Sequence, residues 1–246
     1  MQKQTISLLA FAFAALIASS AGSAQAPAQP LSAPYATMAP LEQYMIPDRA
    51  SEIALARSAA PKSISDAADV LVLGRDGYTT AIKGTNGFVC LVQRPWSAAT
   101  DFSEFWNPKV RAPICLNARA ARTYLPIDLM KTKLVVAGRS KAEIAQAVKS
   151  GFDSGKLPLL EPGAMCYMMS KRQYLNDHDK NWHPHMMWFV PGDAATSWGA
   201  NLPGSPTLAA NDPEERLTIF LVWVGHWSDG TPAPPEHATP APHKMN

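Results

Sequence analysis

The sequence predicts an α+β fold, an antiparallel sheet of about six strands with helices from the middle of the chain packed on it. Three observations carry that expectation. Residues 69–92 hold three β-rich runs separated by Asp76-Gly77 and Asn86-Gly87, dipeptides that accept the positive φ of tight turns. Residues 101–155 read as interrupted helix. Strand composition then returns in residues 163–170, 185–190 and 216–227.

The chain opens with Lys3, an apolar run over residues 6–18 and a string of small residues, the layout of a secretory signal peptide. The run is 13 residues, short of the about 20 that a membrane span needs. Small Gly22 and Ala24 favour cleavage after Ala24, which predicts export to the periplasm or outside the cell. Removing those 24 from the 246 residues leaves 222, a length that suits one domain. Pro27, Pro30, Pro34 and Pro40 make residues 25–40 a disordered spacer, and five prolines make residues 228–246 a disordered tail. The globular body is then expected over residues 41–227.

Within that body, Asp48 can cap a first helix whose apolar side is Ile53, Leu55, Ala56, Ala59 and Ala60, ended by Pro61. The runs at 69–73, 78–82 and 88–92 then predict a three-stranded antiparallel meander. Asn117 can cap residues 118–125, Pro126 starts or kinks the following segment, and Ser140 with Glu143 has capping-box spacing ahead of Gly151. Residues 216–227 are nearly continuous in apolar side chains, which predicts a strand covered on both faces. Between the last strands, residues 198–215 read as a long glycine-proline-asparagine loop, with Glu214-Glu215 on its solvated face.

Charge and motifs exclude several classes. The 22 Lys and Arg against 20 Asp and Glu become 21 against 20 once Lys3 is removed, and no basic patch with interleaved aromatics stands out, so no nucleic-acid partner is expected. No second apolar run is long enough to span a membrane after signal cleavage. Gly-x-Ser-x-Gly, Ser-x-x-Lys, phosphate-loop, His-Glu-x-x-His and Cys-x-x-Cys patterns are all missing. Of the three cysteines, Cys90 and Cys115 are the pair that the short intervening span favours for a disulfide, against a competing reading of three buried thiols.

The remaining chemistry gathers late in the chain. His183 and His185 flank Pro184, and residues two apart on a strand share a side. With His226 as a third ligand they predict a transition-metal site for zinc or copper, with Asp177, His178 and Asp179 as alternative ligands. The competing reading is a histidine at the core margin satisfied by a backbone carbonyl. Met165, Met168, Met169, Met186 and Met187 around Cys166 read as core filler more readily than as copper ligands. Trp182, Trp198 and Trp227 predict an aromatic cleft for a small molecule. The expected function is an exported small-ligand or metal-binding accessory protein; a metal-assisted hydrolase or oxidoreductase, and a structural or partner-binding module, are the alternatives.

Overall fold

A computed structural model describes residues 34–205 and 207–234, which belong to one compact unit. The expected signal peptide, most of the proline-rich spacer and the end of the tail lie outside the described residues. What is described of the spacer and tail is packed. Tyr35, Met38 and Ala39 lie against the core around Trp96 and Phe105, and residues 228–234 fold back through Trp227 N–H to Thr231 O and Ala233 N–H to Gly225 O.

The architecture is α+β, a mixed eight-stranded sheet with helices on both faces. In chain order come α1 (Arg49–Arg57), α2 (Lys62–Ser65), β1 (Asp69–Gly74), β2 (Gly77–Ile82), β3 (Val89–Gln93), β4 (Ala112–Leu116), α3 (Ala118–Thr123), α4 (Leu125–Val136) and α5 (Lys141–Asp153). The chain ends with β5 (Met165–Met168), β6 (His185–Pro191), β7 (Leu208–Asp212) and β8 (Leu217–Trp223). The spatial order is β2-β1-β3-β4-β5-β6-β8-β7.

The first three strands correct the expected meander. β3 pairs with β1, in parallel, rather than with β2. Composition explains the exchange. β2 exposes Thr79 and Thr80 and suits a sheet edge, whereas Cys90, Leu91 and Val92 are fully buried and must lie inside. The crossing back over β1 depends on Gly84. A Cβ there would fall 2.3 Å from Ala67 O, while its own N–H bonds Asp69 Oδ1 at 2.5 Å.

Alternation along the strands sends side chains to two cores. Leu91, Ile114 and Leu116 face α3, α4 and α5, with Tyr124, Ile127, Val148 and Phe152. Cys90, Val92 and Cys115 face the other way, onto Ala56, Ala59 and Ala60 in and after α1. Further along, Ala194, Ala195 and Ala200 cover Phe220 with Trp188 and Val190. The helix caps are as expected: Asp48 accepts from Ala50 and Ser51 N–H, Asn117 from Ala120 N–H, and Ser140 with Glu143 closes a capping box. Gly151 does not end α5. It packs under Leu157 inside the helix, and Gly155, at φ +71°, takes the terminal position.

Two strands lie where none was expected. β4 contains Pro113, a residue that reads as a strand breaker, but β5 pairs with β4 only at Cys115 and Leu116 and leaves Pro113 clear. β7 is cut from the long loop and forms the sheet edge beyond β8, so β8 is one strand in from the margin rather than central.

Cys90 and Cys115 stand directly opposite each other on β3 and β4, Cα atoms 4.0 Å apart and sulfurs at bonding distance. Cys166 is buried and unpaired. Mass mapping without reductant should find Cys90 joined to Cys115 and Cys166 as a thiol; a linkage through Cys166 would overturn this. Replacing both Cys90 and Cys115 by alanine should cost roughly 3 kcal/mol of stability, read by urea unfolding.

Candidate functional site

Two places in the fold combine polar chemistry with space. The first lies where the chain enters β6. Pro184 is buried and its carbonyl accepts Val224 N–H at 3.0 Å, extending the β6–β8 pairing past His185 opposite Trp223. The rings of Trp182, His183, His185 and Trp223 pack as one cluster, with centroids 4.8 Å apart for Trp182–His185, 5.6 Å for His183–Trp223 and 5.9 Å for Trp182–Trp223. Beside them Asp179, Asn181, Trp182, His183, Trp227 and Pro234 line a cleft of about 300 Å³. Trp223 keeps its indole N–H buried without a hydrogen-bond partner.

His185 is 2 % exposed, and its Nδ1 lies 2.8 Å from His183 O. A carbonyl only accepts, so Nδ1 carries the proton and the imidazole is held as one neutral tautomer. Burial pushes its pKa down to about 4. His226 does not join the pair. β8 ends at Trp223, so His226 lies beyond the strand that pairs with β6. It is exposed and bridges to Pro232. Among the described residues no group of three or more His, Cys, Asp or Glu could hold a metal ion, so the structure does not assemble His183, His185 and His226 into a zinc or copper site. His178 and Asp179 bond each other at 2.7 Å, and Asp177 takes Tyr35, Asn107, Lys109 and Tyr174.

The aromatic cleft is built from two of its three expected tryptophans. Trp182 and Trp227 line it, whereas Trp198 is 60 % exposed and stacks on Phe220 at 4.5 Å. Met168, Met169 and Met187 are buried core residues, and burial pushes the Cys166 thiol well above its usual range, which leaves no thiolate nucleophile there.

The second place was not legible in the sequence. A cavity of about 150 Å³ lies against Gln93, Arg94, Pro95, Ser97, Ala98, Phe102, Val110, Ala112 and Leu175, next to a buried charge network. Lys131 on α4 is fully buried and donates to Glu215 Oε1 at 2.8 Å and to Ala98 O at 2.7 Å. Glu215 is 2 % exposed, so the expected solvated face of Glu214-Glu215 is an interior one at its second residue. Burial raises the Glu215 pKa against the pull of Lys131; burial is also the largest influence on Lys131, but the charge and hydrogen bond of Glu215 together with the charges of Glu214 and Asp128 outweigh it and raise the Lys131 pKa. Arg94 pairs with Glu52 at 2.9 Å, both buried. Asp128, one turn before Lys131, accepts from Gln93 Nε2, and burial pushes its pKa up to about 6.

Comparison with protein-family models, with curated proteins and with solved structures finds no match for this chain. The chemistry of the two places therefore rests on their own residues.

Their buried groups give opposite pH responses. Folded Asp128 takes up a proton near pH 6 that the unfolded chain takes up only near its ordinary 3.8, so its contribution to stability rises as pH falls between those values. Folded His185 stays neutral to about pH 4 while the unfolded chain protonates near 6.5, so its contribution falls over much the same range. Each is worth about 3 kcal/mol across the window. Relative to wild type, Asp128→Asn should lose about 2 kcal/mol between pH 6.5 and 4, and His185→Gln should gain a similar amount. Urea unfolding at four pH values reads both; parallel curves for the three proteins would remove the effect.

Proposed function

We propose that this chain is an exported small-ligand-binding protein, and that the cleft beside β6 holds the ligand. The observation that carries the reading is the convergence on one open cleft of Trp182 and His183, from the loop before β6, with Trp227, from the turn after β8. Two indoles offer flat apolar surface, and His183, Asn181 and Asp179 line the same cleft as polar groups that fix orientation. The ligand class that fits is a small ring compound with one apolar face and hydrogen-bonding groups at its edge.

Export is supported by the signal-like start of the sequence and by the Cys90–Cys115 pair, a bond that oxidising compartments preserve. Among the described residues no helix is long and apolar enough to cross a membrane. The catalytic alternatives need a metal, and the histidines that would bind it are not gathered.

Titration with a panel of monosaccharides and of hydroxylated aromatic acids, followed by tryptophan fluorescence, tests the proposal. At least one class should give a saturable change that Trp182→Ala and Trp227→Ala each weaken about tenfold or more, the scale of one lost stacking contact. A panel without any saturable member, or variants that bind as the wild type does, would sink it.

A further inference from the structure

Among the described residues that line the aromatic cleft, Asp179 is a carboxylate and none is lysine or arginine. Its side chain is 24 % exposed, so a molecule in the cleft meets it directly. The cations nearest in the chain do not line the cleft. Lys171 bonds Asp229 at 2.9 Å, Lys109 bonds Asp177, and Lys180, beside Asp179 in sequence, is exposed and not part of the lining. His178 places Nδ1 2.7 Å from Asp179 Oδ1 with a side chain 75 % exposed.

The loop that carries this carboxylate is tied to itself. Asn176 Oδ1 accepts Asp179 N–H at 2.6 Å, and Asn176 Nδ2 donates to Asp179 Oδ2 at 3.0 Å. The main chain closes the same turn: Lys180 N–H donates to Asn176 O at 3.0 Å, and Leu175 N–H donates to Lys180 O at 2.6 Å. Buried Gln173 donates to Trp182 O at 2.7 Å and so holds the first indole's backbone. Across the cleft, Ser228 N–H donates to Met169 O at 2.9 Å and fixes the chain just after Trp227. Groups held this way need little ordering when a ligand arrives. Hydrogen bonds to a carboxylate favour its charge rather than cancel it, so the field of Asp179 acts on whatever fills the cleft.

We infer that the cleft selects ring compounds that carry a protonated amine, and that Asp179 is the residue that sets this preference. The inference rests on the reading of the cleft as the ligand site and names the charge of what enters it. Two effects of the same sign support it. Indole faces attract cations through the ring quadrupole, tryptophan most strongly of the aromatic side chains. The carboxylate attracts the same charge and repels an anion of equal size. A neutral ring keeps its contact with the indoles and gains nothing from Asp179, so it binds between the two.

Three probes with one phenol ring and different charge test this: tyramine, 4-ethylphenol and 3-(4-hydroxyphenyl)propionate. Calorimetric titration of the whole protein is run at pH 8 and low, constant ionic strength, where an ordinary imidazole is uncharged and the amine is still protonated. Tyramine should bind tightest, 4-ethylphenol next, and the propionate about tenfold or more weaker than tyramine, a tenfold step being about 1.4 kcal/mol. Asp179→Asn keeps the shape and removes the charge. It should bring tyramine down to the level of 4-ethylphenol and leave 4-ethylphenol as in wild type, a split that mere loosening of the loop would not produce. If that variant does not fold, the wild-type order of the three probes decides alone. Equal affinities, a tighter propionate, or an undiminished tyramine preference in Asp179→Asn would overturn the inference and leave the cleft as a ligand site. Saturable binding by none of the three would overturn it too, and the monosaccharide titrations then judge the cleft separately.

Discussion

Helix α4 carries an aspartate and a lysine into the interior, and the partners each must find there dictate how distant parts of the chain come together. Lys131 reaches Glu215, in the turn between β7 and β8, and Ala98 O, beyond β3. Thr132, the next residue, receives the indole N–H of Trp96 at 2.9 Å, and Asp128 receives Gln93. An uncompensated charge at such a depth costs several kcal/mol. A helix pinned by three such contacts has one seat on the sheet, whereas an apolar helix could slide by a residue with modest loss. On the opposite face Arg94 does the same service for α1, reaching Glu52 and Tyr44 O. The 94–102 segment is thus held from both sides, and the cavity is the space its fixed path leaves unfilled.

The aromatic cleft arises from a different constraint. β6 begins beside Pro184, which has no N–H and gives the ladder only its carbonyl, to Val224 N–H, and β8 ends opposite this point. There the rings of Trp182 and Trp223 pack on each other and on His183 and His185, and Trp182 and Trp227 line the cleft. Large flat groups meeting at a sheet end pack imperfectly, and the imperfection is the cleft. One site is bordered by a buried charge network; the other is walled by tryptophans.

How much of this the sequence discloses follows from the signals involved. Local rules read the caps of α1, α3 and α5, because an N-cap needs only a side chain and its near neighbours. They also read the Cys90–Cys115 pair and two members of the cleft. They fail on β3, since a turn dipeptide marks a reversal without saying on which side the returning strand lies. They fail on β4, where Pro113 conceals a wholly buried strand. The histidine triad fails because His226 lies past the end of β8, which the unbroken apolar run of the sequence does not reveal. The charge network was invisible for a plainer reason: Asp128, Lys131 and Glu215 look like surface residues, and 84 positions separate the latter two. Polar residues spread around an otherwise apolar helix, as in residues 127–138, were the one trace of it.

The bond from Lys131 to Glu215 also bears on the order in which the chain can finish. During synthesis the residues up to α5 emerge well before β7 and β8, so the lysine spends that interval without its carboxylate. A nascent chain lacking the last hairpin cannot close its centre over a bare ammonium, and it must stay loose or solvated there until the C-terminal strands arrive. Completion is then nearly all-or-none: the final thirty or so described residues act as a latch that lets the earlier two-thirds set, and a chain cut short before residue 215 would be left for proteases to clear.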